Sequence, residues 1–262
     1  MMTYEIFAQT DQGQVRQNNE DAVAFDPQTG LCLLADGMGG YNAGEIASGM
    51  AVTFISQELG SWLRQAGNRA SARELRRTLE TCVHNVNHSI FNAACSNPDY
   101  EGMGTTLVAG VFVEGRLILG HVGDSRCYRL RGPAFQQITK DHSLLQEQID
   151  AGLMTPEQAL ASPYKNLITR ALGVEDSVLI EINEHRVELG DVYLMCSDGL
   201  SDMVPDGVLA AILHASGTLQ QKALKLVHAA NEGGGRDNIS VLLVHATEEE
   251  SRRGLLSRML GK

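Results

Sequence analysis

The order in which strand-like and helical segments follow one another constrains this chain's fold more than any other feature. They come in blocks rather than in strict alternation. Strand patterns open the chain at 4–10, 22–25 and 31–35, and the third is a continuous apolar run that stops at a turn, as a buried strand does. Helical patterns follow at 43–63 and 71–94. In the second, Leu75, Leu79, Val83, Val86 and Ile90 recur at three- and four-residue spacing, and Ser71 with Glu74 has the form of a capping box. Strand patterns return at 105–113, 116–122 and 126–130, with Glu114–Gly115 as a tight hairpin turn. Polar helical stretches lie around 143–151 and 156–161. Strands are then predicted at 178–187 and 192–196, helices at 205–215 and 218–231, and a last strand at 240–246. A doubly wound parallel sheet needs regular βαβ alternation. This order instead predicts mainly antiparallel sheets with helices packed outside them.

At 262 residues, with no Pro- or Ser-rich linker, the chain reads as one domain over 1–246 followed by a short tail, 247–262. Its apolar runs are too short to span a bilayer, and no basic stretch followed by an apolar one opens the sequence. The expectation is no membrane span, no secretory signal and a cytoplasmic protein. Five cysteines, odd in number and without a CxxC pair, argue for free thiols and against a disulfide framework or a thiolate zinc site. His84 and His88 stand four apart without the Glu of an HExxH motif, so they read as exposed helix residues. The formal charge of −11 makes nucleic acid an unsuitable partner. The acid excess itself reads either as a solvated surface or as carboxylates converging on cations.

Position separates those readings. Asp36 ends one apolar strand pattern and precedes Gly37; Asp198 ends another and precedes Gly199; Asp237 stands just before a third. Asp-Gly is common turn chemistry, so each alone is a turn as readily as a ligand. A carboxylate at the lip of a buried strand is nevertheless costly unless solvated, hydrogen-bonded or bound to a cation. Around Asp36, Gly37, Gly39, Gly40 and Gly44 lie between strand and helix. The dinucleotide pattern GxGxxG fails at Asn42, and no Gly-Lys-Ser/Thr is present for a P-loop. These glycines point to backbone in close approach, for example a Gly37 carbonyl reaching a metal. Arg16, Glu20 and Asp21 form a charged cluster upstream. Asp124 interrupts an apolar stretch, as a bulge or as a functional carboxylate, and Asp141 is placed to cap a helix.

Eight blocks in order then resemble a known family. They are RQNNED (16–21), DGMGG (36–40), GMGTTL (102–107), GHVGDSR (120–126), TKDHS (139–143), NLITRALG (166–173), CSDGLSD (196–202) and GGRDNISVLLV (234–244). The chain resembles the metal-dependent protein phosphatases of the PPM, or type 2C, family in their compact bacterial form. The resemblance implies an α+β fold, a four-layer αββα sandwich of two antiparallel β-sheets flanked by helices. It also implies a serine/threonine phosphoprotein phosphatase that uses Mn²⁺ or Mg²⁺, two core ions and a third, weaker one.

By that resemblance Asp36 bridges two metals, Asp198 and Asp237 complete the first site, and the Gly37 carbonyl with Glu20 or Asp21 serves the second. Asp124 with Asp198 holds the third. All are oxygen ligands, which suits hard cations. A hydroxide shared by two ions attacks phosphorus directly, with no covalent phosphoenzyme. Arg16 clamps the phosphate, as a bidentate guanidinium can. The relatives' proton-donating His is Met38 here. A metal-bound water is then the preferred donor and His142 an outside candidate, its plainer role being to fix a loop. Residues 144–170 match the flap beside the family's active site. The implied partners are phosphorylated proteins, namely a cognate Ser/Thr kinase and its substrates, and the expected state is a monomer. The reading from another class is a phosphatase-like module that binds phosphoproteins without turnover. The tail reads as a short amphipathic helix or a frayed end.

Overall fold

A computed structural model describes residues 2–40, 43–67, 70–160, 162 and 167–248. Strands β1 (Met2–Asp11), β2 (Asp21–Asp26) and β3 (Leu31–Met38) precede helices α1 (Ala43–Ala66) and α2 (Ala72–Ser96). Next come β4 (Gly104–Thr105), β5 (Leu107–Val113), β6 (Arg116–Val122), β7 (Arg126–Arg131) and β8 (Ala134–Gln137). Two short helices, α3 (Leu144–Asp150) and α4 (Pro156–Leu160), lead to β9 (Glu181–Arg186) and β10 (Val192–Cys196). The order closes with α5 (Asp198–Ser201), α6 (Asp206–His214), α7 (Leu219–Glu232) and β11 (Ile239–Glu248).

The strands pair antiparallel in two sheets, ordered β1-β11-β10-β7-β8 and β2-β3-β5-β6-β9, with β4 on β3. The continuous apolar runs follow from burial on both faces. Successive side chains of a strand point to opposite sides. Leu31, Leu33 and Ala35 therefore join α1 and α2 in one core, while Cys32 and Leu34 join Met195, Leu242 and Val244 between the sheets. In the other sheet Leu194, Cys196, Val241 and Leu243 pack with Leu209, Leu226 and Ala230 of α6 and α7. Three cores separate four layers, helix, sheet, sheet, helix.

Several local expectations are met and others shift. The Ser71–Glu74 capping box forms, and Glu114 (φ 49°) with Gly115 (φ 75°) makes a two-residue hairpin turn with both residues left-handed. The strand predicted at 105–113 is broken at Thr106, whose N–H donates instead to the Asp36 carbonyl (2.8 Å). Asp141 does not cap α3; Ser143 does, and Asp141 takes a bidentate contact from Arg126. β11 runs through Thr247 and Glu248, into the expected tail, whose remainder lies outside the described residues. His84 and His88 are exposed on α2. Among the described residues no helix is long and apolar enough to cross a membrane.

Candidate metal centre and active site

Register brings the acids to one end of the sandwich. Asp21 at the start of β2 stands opposite Asp36 near the end of β3. Cys196, at the end of β10, faces Val241 of β11 and Arg126 of β7, so the chain positions just beyond these strand ends converge. Asp198 follows β10, Asp237 precedes β11, and Asp124 lies in the turn that carries the chain from β6 in one sheet to β7 in the other. Asp36 shares its face with Cys32 and Leu34 and so opens into the mouth between the sheets.

Hydrogen bonds fix the frame around these acids at several points. The Asp36 N–H donates to Thr106 Oγ1 (3.0 Å), and Thr106 Oγ1 meets Ser125 Oγ (2.8 Å), so one hydroxyl ties the Asp36 strand to the Asp124 turn. Ser197 Oγ donates to Asp21 Oδ2 (2.8 Å), linking the two sheets. Asn238 is buried and satisfied on both sides. Its Nδ2 donates to the carbonyls of Gln12 (3.0 Å) and Asn18 (2.8 Å), and its Oδ1 accepts from the Glu20 N–H (2.8 Å). This holds the loop that carries Arg16, whose Nη2 donates to Asp237 Oδ2 (2.7 Å) while the side chain stays 48% exposed.

Gly37 must be glycine for a reason nearer than any metal. A Cβ there would strike the carbonyl oxygens of Gly44 and, at 2.6 Å, Glu20, because β3 and the first turn of α1 touch through backbone alone. The glycine is thus in close approach to its own chain on its Cα side, which leaves the expected role of its carbonyl as it was. Glu20 is itself buried, with Oε1 accepting from Asn18 and its carbonyl from Gly37 N–H (3.1 Å) and Ser48 Oγ (2.6 Å).

The electrostatics are unbalanced. Burial, then the carboxylates of Asp21, Asp198, Asp124 and Asp237, pushes Asp36 well above the ordinary carboxylate range. Burial, then Asp124 and Asp237, does the same to Asp198. Burial raises Asp21 to about 6 against the hydrogen bonds of Ser240 and Ser197, and raises Asp124 to about 6 with Asp141 adding. Arg16 is engaged by Asp237, and Arg126 turns away to Asp141. Among the described residues Asp21 Oδ1 is buried with no hydrogen-bond partner. A buried carboxylate oxygen without a donor, among acids that repel it, fits a cation. The donor set is all oxygen, which suits Mg²⁺ and Mn²⁺.

Beside this mouth a cleft of about 610 Å³ is lined by Met38, Ile168, Thr169, Arg170, Val174 and Leu179, among others. Met38 directly follows the Asp36-Gly37 pair, and the cleft's far wall is the described end of the flap. Thr106, Ser197 and Asn238 are the functional positions that the sequence did not single out. Their partners lie 70, 176 and 218 residues away, and no local pattern marks such contacts.

The arrangement defines a metal-dependent hydrolase built on an αββα sandwich. The family model for Protein phosphatase 2C matches residues 9–225, and the chain belongs to that family. It is 40% identical over 239 residues to the serine/threonine phosphatase stp of Listeria innocua, covering 90% of this chain and 93% of that protein. It is 39% identical over 250 residues to the protein phosphatase PhpP of Streptococcus pneumoniae, covering 94% and 99%. Among solved structures, the Mycobacterium tuberculosis serine/threonine phosphatase PstP/Ppp matches with a TM-score of 0.86 at 38% identity, covering 94% and 99%. A catalytic domain of PstP in complex with two manganese ions matches at 0.83 and 37%, covering 95% and 100%.

Proposed function

We propose that this chain is a serine/threonine phosphoprotein phosphatase dependent on Mn²⁺ or Mg²⁺. The observation that carries the reading is the convergence of Asp21, Asp36, Asp198 and Asp237 from both sheets on one mouth, with Asp21 Oδ1 left without a donor among the described residues. Asp36 with Asp198 and Asp237 would hold one ion, Asp36 with the Gly37 carbonyl and Asp21 or Glu20 a second, and Asp124 with Asp198 a third. Such ions, when bound, neutralise phosphoryl oxygens and lower the pKa of water toward neutrality.

The chain's own residues orient the substrate. Arg16 stands half exposed at the lip, where its fork can take two phosphate oxygens. Met38 has no proton to give, so it shapes the start of the cleft that receives the polypeptide around the phosphoresidue. His142 does not fill the vacant acid role. Burial holds its pKa down near 4, so it is neutral at pH 7, and its Nε2 lies 3.6 Å from Glu181 Oε2. Water is left as the donor to the departing alkoxide. The reading extends to a phosphatase domain over 1–246 with its flap at 144–170, to cytoplasmic action as a monomer, and to phosphorylated substrates of a cognate Ser/Thr kinase.

The test is hydrolysis of a phosphothreonine peptide with and without Mn²⁺. Turnover should need the metal, vanish with chelator, and vanish in Asp36→Asn. Arg16→Lys should lower kcat/KM about tenfold or more, since a point charge replaces a fork worth roughly 1.5–3 kcal/mol per charged hydrogen bond. Phosphopeptide binding with no turnover across several metals would instead identify a non-catalytic binding module.

A further inference from the structure

We propose that His142 is a positioning residue that fixes the Asp124 turn to the flap-side wall of the cleft. The inference rests on the reading of Asp124 as a metal-holding acid. Gly123, just before Asp124, has φ +102°, a backbone region that residues with a Cβ avoid, and a Cβ there would also meet Thr106 Cγ2 at 2.7 Å. This turn joins two sheets, and its backbone is tied to His142 by two hydrogen bonds. The Gly123 N–H donates to His142 Nδ1 (3.1 Å), and the His142 N–H donates to the Gly123 carbonyl (2.9 Å).

The same residue reaches the other way. Its carbonyl accepts from the Thr169 N–H (2.8 Å), which is the tie to the cleft wall; Arg170 Nη1 lies 3.4 Å from Nε2 without a hydrogen bond, since both nitrogens carry protons. Thr169 and Arg170 both line the cleft. The ring itself is fixed. It is 6% exposed and stacks on His121 with centroids 4.7 Å apart and planes 9° apart. His121 Nε2 is in turn bonded to the Lys140 carbonyl (2.8 Å).

A rival reading treats His121, His142 and Glu181 as metal ligands, since one ligand atom from each lies within 4.8 Å of the others. The hydrogen bonds oppose it. Because Nδ1 accepts from Gly123, the neutral ring carries its proton on Nε2, toward Glu181. A metal at Nε2 would need both nitrogens stripped of protons and would sit beside the Arg170 guanidinium. The tautomer that serves Gly123 is therefore the one that excludes a metal, and burial keeps it unprotonated on Nδ1 at neutral pH.

The experiment compares His142→Ala, His142→Asn and Asp124→Asn with the unaltered chain, reading Mn²⁺ uptake by calorimetry and amide exchange across 120–126. Asn presents a carbonyl oxygen where Nδ1 stands, so it keeps the acceptor. His142→Ala should weaken the step of Mn²⁺ uptake that Asp124→Asn abolishes by about tenfold, the usual scale for a residue supporting a ligand. It should also speed exchange at Gly123 and Asp124, and His142→Asn should recover most of both. Adding His142→Ala to Asp124→Asn should weaken uptake no further. Unaltered Gly123 exchange in His142→Ala, or an Asn variant no better than Ala, overturns the proposal. Should Asp124→Asn leave Mn²⁺ uptake intact, the metal role of Asp124 fails, and the exchange data still decide whether His142 holds the turn. If the Ala variant does not fold, His142→Leu, which keeps bulk but offers no acceptor, takes its place in the comparison with the Asn variant.

Discussion

Asp21 and Asp36 face one another across β2 and β3, a pairing of like charges that works against the sheet. The residues around them compensate by holding the backbone rather than by neutralising charge. Asn238 does this most economically, with three hydrogen bonds to the loop before Glu20. Asn238→Ala would leave the Glu20 N–H and two carbonyls without partners. It should cost about 1–3 kcal/mol of unfolding free energy, the penalty for the one group on a buried residue, the Glu20 N–H, since Gln12 and Asn18 reach solvent. Arg16 should lose its placement as well, so KM for a phosphopeptide should rise before kcat falls. Denaturant unfolding with steady-state kinetics checks both; a change under 1 kcal/mol would remove Asn238 from this role.

At the scale of elements, α2 separates stability from chemistry. Ser71 Oγ accepts from the Glu74 N–H (3.3 Å), and Glu74 Oε2 accepts from the Ser71 N–H (3.0 Å). This cap lies near the β5–β6 hairpin, at the end of the sandwich away from Asp124. Ser71→Ala should therefore lower stability by about 1 kcal/mol, the usual worth of an N-cap, with kcat/KM unchanged; a loss of activity at equal folding would contradict this separation. Elements like α2 were legible because apolar periodicity and capping act within a few residues. The doubly buried strands β3, β10 and β11 were legible for the same local reason. β8, a short edge strand of mixed polarity, was not, and neither was α5, one turn of helix hidden in the Asp-Gly of 198–199. Asp141 reads as a cap from its neighbours, but its partner is Arg126 of β7, 15 residues earlier, and no local pattern marks that pair. The acids were found as strand-end residues, but their meeting depends on register between two sheets, which neither spacing nor propensity contains.

For the whole molecule, the acid mouth is a seam. Asp21 and Asp36 belong to one sheet, Asp198 and Asp237 flank strands of the other, and their mutual repulsion pulls the layers apart unless a cation or protons intervene. The sign follows from the raised pKa values. Between an unfolded carboxylate near 3.8 and a folded one near 6, as for Asp21 and Asp124, the native state holds more protons than the unfolded chain. The metal-free protein should therefore lose this share of stability as pH rises from about 4 through 6. A divalent ion reverses the trend, since it competes with protons and binds best where they have left. At pH 7.5, Mn²⁺ at about a hundred times its Kd adds roughly 2.7 kcal/mol, or about 5–10 °C in Tm for a domain of this size. At pH 5 the same metal should add clearly less. Asp36→Asn isolates the seam's contribution. It should flatten the fall of metal-free Tm between pH 5 and 7.5 and shrink the Mn²⁺ increment together. Thermal melts at the two pH values with chelator or Mn²⁺ decide the matter, and an Asn variant with the unaltered pH slope would place the repulsion somewhere other than this mouth.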